Sequence, residues 1–500
     1  MGRQTGGKTL AELGLATSGA GAVEVTGLAV DSREVKPGYL FAAMPGTKMH
    51  GAEFIEYALR MEAAAVLTDR EGARIAADEI TASNAALVVA EDPRQALAFA
   101  AALWFAAQPE TMVAVTGTNG KTSVATFTRQ LWEVLGLPAV NLGTTGVEGA
   151  VSRPLAHTTP EPITLHRVLA ELAREGVTHA AMEASSHGLA QKRLDGVGLK
   201  AAAFTNITQD HLDYHADFED YFRAKAALFD RVLCEDGTAV INMDDPNGPR
   251  MAAVAEARGQ DLLTVGRAEG MALRLLKQSF EPTGQTLRFE WAGKPRQVRL
   301  PLIGGFQAEN ALVAAGLAIA TGSDPGAVFA AMERLHTVRG RMQLVATRAN
   351  GAAVYVDYAH TPEALRTALK ALRPHVMGRI VVVFGAGGDR DRGKRPLMGQ
   401  AAAEGADLAI VTDDNPRSEV PAAIRAAILD GMPDDPGRVC EVADRAEAIL
   451  RGVDALGPGD ALLVAGKGHE TGQVIGDDVL PFDDAEQASV SVAALDGARG

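Results

Sequence analysis

Residues 112–115 form a short apolar run that leads into Thr116-Gly117-Thr118-Asn119-Gly120-Lys121-Thr122, and a helical pattern follows from 123 to 135, closed by Gly136. Strand, glycine-bearing turn and helix in that order restrict the fold to an α/β nucleotide-binding core. The glycines let successive backbone N–H groups converge on phosphate oxygens, and the helix adds its positive N-terminal end. In such a loop Gly117, Thr118, Asn119, Gly120 and Ser123 surround the phosphates. Lys121 reaches the β- and γ-phosphates, and the Thr122 hydroxyl faces Mg²⁺. Position 115, glycine in the usual eight-residue phosphate loop, is Val115, so the loop is a variant. A Gly/Thr turn with a surface lysine is the plainer alternative, and the flanking elements favour nucleotide binding.

Three blocks organise the chain. Residues 1–108 hold short strand-like runs at 28–30 and 64–67 and a closing apolar helix after Asp92. Residues 109–337 open with the linker Pro109-Glu110, carry the phosphate loop, and continue past a helix beginning near Gln307. In residues 338–500, strand-like runs end near Val356, Phe384, Val411, Val442 and Val464. Helical patterns at 362–372, 394–404, 420–429 and 445–456 separate them, which predicts a parallel sheet with right-handed crossovers, a Rossmann-like domain. The last four residues, Gly-Ala-Arg-Gly, read as a frayed tail.

Charge narrows the partners. The chain has 48 basic and 63 acidic residues, a formal net charge of −15, and gains little from a polyanion's field, so nucleic acid is not expected as a partner. Cys234 and Cys440 stand far apart, which excludes a disulfide framework and fits a reducing cytoplasm. The start has no apolar core of the signal-peptide kind, and Gly6 stands where a myristoylation motif wants Ser or Thr. The longest apolar stretch, 96–107, is too short to span a bilayer. The expectation is a soluble, cytoplasmic monomer without membrane insertion.

Further along, the apolar run 180–182 ends on Glu183, followed by Ala184-Ser185-Ser186-His187-Gly188. A carboxylate at a strand's C-terminal end beside a phosphate loop is where Mg²⁺ is held; in isolation it would be a solvated glutamate. The segment Asn206-Ile207-Thr208-Gln209-Asp210-His211-Leu212-Asp213-Tyr214-His215 is dense in acid–base and metal-capable groups. Since Mg²⁺ prefers oxygen, a histidine ligand there implies a second, less typical cation site. Downstream, 221–229 forms an amphipathic helix on which Lys225 reads as a surface charge.

Taken together, TGTNGKT, MEASSHGL, NITQDHLDYH, the Lys225 helix, ENALVA at 309–314, GRM at 340–342, DYAHTP at 357–362 and AGKGHE at 465–470 resemble the Mur ligase family. The likeness is to the branch that adds the third amino acid of the cell-wall precursor peptide. It covers nearly the whole chain, in matching order. It implies an α/β protein of three domains: an N-terminal uridine-nucleotide-binding α/β domain, a central P-loop ATPase domain and a C-terminal Rossmann-like domain. It further implies a Lys225 carbamylated by CO₂, which turns a cation into an anionic oxygen ligand. Glu183, His211 and Thr122 would complete the Mg²⁺ site, with Lys121, Lys225 and His211 as catalytic residues. Asn310, Arg341 and Asp357 would bind ATP, Asp357 on the ribose, with His360 near the phosphates. One departure is Arg339, where the family often has proline before Gly-Arg-Met.

The same resemblance implies substrate contacts. Val30 and Ser32 in Val30-Asp31-Ser32-Arg33 would hold the uridine nucleotide, with 47–49 at the same site. Thr158, Thr159, Ser185, Gln191 and Arg193 would hold the sugar-peptide, and a guanidinium suits a carboxylate or phosphate. Asp413-Asp414-Asn415-Pro416-Arg417 contains the DNPR signature of the family's diaminopimelate-adding members. Arg417 and Arg390 can fork onto the substrate's far carboxylate, Gly466 can offer a backbone group, and Glu470 can pair with the ammonium there. Asp414, Asn415 and Pro416 would shape the same pocket. Lysine lacks the second carboxylate and would leave Arg417 unpaired. DNPR is locally also an Asx/Pro turn before a helix.

The expected reaction is therefore ATP-dependent amide formation between UDP-MurNAc-L-Ala-D-Glu and meso-diaminopimelate. The rivals are the same reaction with L-lysine, a folylpolyglutamate synthetase-like ligase, and a P-loop GTPase switch or nucleotide-gated binding protein. No guanine-reading Asn-Lys-x-Asp is present to support the last.

Overall fold

The strand Thr111–Thr116 (TMVAVT) is buried along almost its whole length, as expected of a strand covered on both faces. The computed structural model to which it belongs describes residues 6–15, 21–46, 49–208 and 214–497. The chain forms two compact units, Met1–Leu273 with Val313–Val328, and Arg274–Leu312 with Phe329–Gly500.

In the first unit, neighbouring strands run in the order Asp261–Gly266, Thr238–Asn242, Ala201–Phe204, Thr111–Thr116, His179–Glu183, Ala139–Gly143 and Gly146–Gly149. All pairings are parallel except the last, a hairpin. Helix Pro162–Arg174 sets Leu165, Leu169 and Leu172 into the core with Met112, Ala114 and Met182. The helix after the phosphate loop, Lys121–Val134, starts two residues earlier than its apolar pattern suggests, because left-handed Gly120 (φ 87°) ends the loop and serves as its N-cap.

A smaller parallel sheet, Gly27–Ala29, Tyr39–Ala42, Ala65–Thr68 and Ala86–Val89, precedes this one. Its closing helix Pro93–Phe105 is capped by the Asp92 carboxylate, with proline in the first turn. Leu97, Ala101 and Trp104 of that helix pack on Leu40 and Leu67. Polar ties then join it to the larger sheet. Gln95 Nε2 donates to Asp195 Oδ2 at 2.8 Å, and Lys192 pairs with Asp92 at 2.8 Å.

The second unit contains a six-stranded sheet in the order Gln343–Thr347, Ala353–Asp357, Ala461–Ala465, Ile380–Phe384, Leu408–Val411 and Val439–Glu441. Five strands are parallel, as the alternation of strands and helices predicts, and Gln343–Thr347 adds an antiparallel edge. Apolar layers cover both faces. Helix Asp484–Gly497 packs in one of them and is anchored by a fully buried ion pair, Arg445–Asp484 at 2.7 Å. The antiparallel pair Gly284–Trp291 and Lys294–Leu300, and the hairpin Gly472–Ile475 with Asp478–Pro481, have no counterpart in the sequence-based expectation.

Candidate active site

The phosphate loop is held open by its neighbours. Gly117 adopts φ 154°, and a Cβ there would stand 1.9 Å from Thr205 Oγ1, so only glycine fits. Thr205 Oγ1 donates to Asn119 O at 2.6 Å, Asn119 N donates to Asn206 Oδ1 at 2.9 Å, and Asn206 Nδ2 donates back to Asn119 O at 3.1 Å. Thr208 N donates to Thr118 Oγ1, which also meets Tyr221 OH at 3.1 Å. Lys121 Nζ reaches back to Gly117 O and Thr118 O at 2.8 and 2.9 Å, which keeps the ammonium on the loop. Ser123 follows in the first turn of the helix.

Glu183 ends the parallel strand beside the loop, in register with Val115. Only 2% of it is exposed, and its Oε1 accepts from Thr122 Oγ1 at 3.0 Å and from Thr144 N at 2.8 Å. Space beside it is reserved by Gly143, where a Cβ would come within 1.9 Å of the carboxylate. A buried carboxylate next to a threonine hydroxyl is the hard-oxygen donor set that suits Mg²⁺. His211 lies outside the described residues, and no group of three or more His, Cys, Asp or Glu gathers among the described ones.

Lys225 corrects the expectation of a surface charge: only 1% of it is exposed. Helix Phe218–Ala227 buries the face that carries Tyr221 and Phe222, and Lys225, four residues after Tyr221, shares that face. Its Nζ donates to Gly117 O at 2.7 Å and lies 4.5 Å from the Tyr221 ring centroid. A lysine that composition assigns to solvent thus sits directly beneath the phosphate loop.

All five sugar-peptide candidates, together with Glu183, belong to one bonded network. Thr159 Oγ1 donates to Glu183 O at 3.0 Å, and Ser185 Oγ donates to Thr159 Oγ1 at 3.1 Å while capping the next helix. Arg193 Nη1 donates to Thr159 O, and its Nε and Nη2 hold Gln191 Oε1. The fifth, Thr158, joins through Thr144, whose Oγ1 it meets at 3.1 Å and whose N–H donates to Glu183. Val30 is partly exposed, and Ser32 opens a short 3₁₀ turn capped by Asp31, whose carboxyl the Arg33 guanidinium holds down at about 2. Residues 47 and 48 lie outside the described residues, and Met49 is exposed.

In the second unit, Asp357 is buried at its strand end and accepts from Met342 N at 2.7 Å and Ala359 N at 2.8 Å. Burial pushes its carboxyl pKa up, against those two donors. Arg341 lies 4.9 Å from the Tyr358 ring centroid, and buried Asn310 Nδ2 donates to Gln307 Oε1. The Asp414–Arg417 loop meets two others. Arg417 has φ 51°, its N–H donates to Val474 O, its carbonyl accepts from Gly476 N, and its Nη1 donates to Gly388 O at 2.7 Å. Arg390 follows on the Gly388 loop. A Cβ on Gly388 would come within 1.9 Å of Pro416 O, and one on Gly466 within 2.4 Å of Asp414 Oδ2. Asn415 Nδ2 donates to Glu470 Oε2 at 2.9 Å.

Three family models match consecutive stretches: the Mur ligase family catalytic domain at 24–104, the Mur ligase middle domain at 115–318, and the Mur ligase glutamate ligase domain at 340–468. The chain belongs to the Mur ligase family. This Mur ligase is 50% identical over 479 residues to the UDP-N-acetylmuramoyl-L-alanyl-D-glutamate–2,6-diaminopimelate ligase of Bradyrhizobium diazoefficiens, spanning 95% of this chain and 96% of that relative. It is 49% identical over 481 residues to the same-named ligase of Brucella melitensis, spanning 96% of each. A solved structure of a ligase of that name superposes with a TM-score of 0.76 at 33% identity, over 98% of this chain and 99% of the other. Folylpolyglutamate synthase of Mycobacterium tuberculosis shares the fold at a TM-score of 0.58 and 20% identity, over 75% of this chain and 91% of that one.

Three residues bonded to or packed against the candidate residues are not singled out by sequence reasoning. Thr144, whose amide holds Glu183, lies in a plain Gly-Thr-Thr-Gly turn with no distinguishing signal. Tyr221 could have been found as the i−4 neighbour of Lys225. Lys467 stands inside AGKGHE and is fully buried.

Proposed function

We propose that this Mur ligase joins meso-diaminopimelate to the D-Glu γ-carboxylate of UDP-MurNAc-L-Ala-D-Glu, using ATP, in peptidoglycan precursor synthesis. The observation that carries the reading is near-full-length likeness, at about half identity, to relatives named for that ligation. The glycine-only cradle at Gly117, with Lys121 folded over it, fits a nucleotide's phosphates. Asn310, Arg341 and Asp357 would bind the rest of the nucleotide.

Thr122, Glu183, carbamylated Lys225 and His211 would hold Mg²⁺, which when bound offsets the charge of the transferring phosphoryl group. Lys121 neutralises the same charge from the loop. The γ-carboxylate accepts the terminal phosphoryl group, and the amine of diaminopimelate then displaces phosphate to form the amide. Val30 and Ser32 would bind the uridine nucleotide, and Thr158, Thr159, Ser185, Gln191 and Arg193 the sugar-peptide. Arg390 and Arg417 would receive the far carboxylate, Glu470 would pair with the ammonium, Gly466 would offer a backbone group, and Asp414, Asn415 and Pro416 would shape the pocket. The division of labour is residues 1–108 for the uridine nucleotide, 109–337 for ATP and 338–500 for the amino acid.

No helix among the described residues is long and apolar enough to cross a membrane. We place this activity in the cytoplasm and assign it to a monomer.

Phosphate release from ATP and Mg²⁺, with UDP-MurNAc-L-Ala-D-Glu and either meso-diaminopimelate or L-lysine, tests the reading. Release and a UDP-tripeptide with diaminopimelate alone are expected. Equal use of lysine would overturn the pocket assignment, and no co-substrate-dependent release would overturn the reaction.

A further inference from the structure

Lys467 is fully buried in the second unit, beside residues of the amino-acid pocket. Its Nζ donates to Asn415 Oδ1 at 2.9 Å and stands 3.6 Å from Glu470 Oε2 and 3.9 Å from Asp414 Oδ1. Asn415 Oδ1 also accepts from Val474 N at 2.9 Å, so two donors fix the carboxamide with Nδ2 towards Glu470. A buried ammonium is tolerated only where anionic and hydrogen-bonding groups replace its water. Here those groups are Glu470, assigned to the substrate's ammonium, and its pocket neighbours Asn415 and Asp414. Glu470 is about one-third exposed and Lys467 not at all, so a ligand meets the carboxylate and not the lysine.

We propose that Lys467 is a positioning residue for diamino-acid recognition: from below, it locks the Asn415 carboxamide and holds the Glu470 carboxylate as a preset acceptor for the substrate's distal ammonium. The proposal rests on the assignment of Glu470 to that ammonium. Two carboxylates and one lysine leave the cluster with a single net negative charge, which one substrate ammonium neutralises. Without Lys467, the Asn415 carboxamide would lose one of its two donors and Glu470 the cation 3.6 Å from its carboxylate.

The test compares meso-diaminopimelate with 2-aminopimelate, which keeps the reacting amine and the distal carboxylate but lacks the distal ammonium. Wild-type enzyme is expected to favour diaminopimelate in kcat/KM by about tenfold or more. In Lys467→Met the preference falls to about threefold or less, with KM for ATP and for the UDP-dipeptide unchanged. Lys467→Gln, which returns a donor for Asn415 without the charge, falls between the two. Thermal unfolding confirms that each variant is folded. Either variant folded and keeping the wild-type preference overturns the proposal, as does equal loss on both amino acids. A wild-type enzyme indifferent to the distal ammonium overturns the Glu470 assignment itself, a failure visible before any variant is made.

Discussion

Thr122 donates its hydroxyl to the Glu183 carboxylate at 3.0 Å, tying the first turn after the phosphate loop to the end of the neighbouring parallel strand. Thr144 N–H donates to the same oxygen, so a glutamine could accept both bonds. Glu183→Gln should therefore fold normally and lose only the charge. Its phosphate-release kcat is expected to fall by about hundredfold or more, with little change in Tm. Near-wild-type turnover would remove Glu183 from the cation site.

Lys225 offers a sharper test of chemistry against architecture. Lys225→Ala opens space beneath the loop, whereas Lys225→Met fills it with apolar volume. Both should abolish turnover if an anionic group is required there. Acetate or formate should partly restore the alanine variant and leave the methionine variant inactive. Substantial turnover in Lys225→Met without added acid would rule out a carbamate role.

Arg417→Ala should lower kcat/KM for diaminopimelate by about hundredfold, the scale of a lost charge-assisted pair, with KM for ATP unaffected. L-lysine should not improve as a substrate. Equal falls in steady-state kinetics for ATP and diaminopimelate would mean that the arginine supports the fold instead.

Stability should depend on pH through His166. This residue is buried where helix Pro162–Arg174 meets the Asp195 turn, its Nε2 3.2 Å from Asp195 O, and burial lowers its pKa from 6.5 to about 4. Because the folded pKa is depressed, the unfolded chain binds the proton first. The contribution is present above about 6.5 and is lost as pH falls towards 4, an effect of up to about 3 kcal/mol. Denaturant titrations of wild type and His166→Gln between these pH values should diverge at the upper end and converge at the lower. Parallel curves would refute the linkage.

Asp484→Ala should strand the fully buried Arg445 guanidinium, which also donates to Asp413 O and Ala465 O. The expected cost is about 3–5 kcal/mol in chemical unfolding. A change below about 1 kcal/mol would mean that water or a rearranged partner replaces the carboxylate.

Much of this was legible in the sequence because local chemistry and global fold agree there. Continuous apolar strands, the Gly117 and Gly120 loop and the capped helix starts each follow from rules spanning a few residues. The parallel sheet of residues 338–500 was readable for the same reason. Lys225 was not, since whether a helical lysine faces solvent depends on what the rest of the fold lays against Tyr221 and Phe222. Nor was the hairpin Gly472–Pro481, whose pairing with Arg417 joins residues more than fifty positions apart. Asp357 was expected on a ribose, and in the structure both its oxygens already hold backbone amides, a contact invisible without the loop at Met342.

The hairpin's grip on Arg417 bears on how amino-acid choice could be re-engineered. A non-glycine residue with φ near 51° relies on its surroundings to stay there, and here the support comes from Val474 and Gly476 on a separate segment. Grafting the four residues Asp414 to Arg417 alone into another ligase would move the letters of the signature without the clamp that aims the guanidinium. A transplant that works would have to carry the 472–481 ribbon with it.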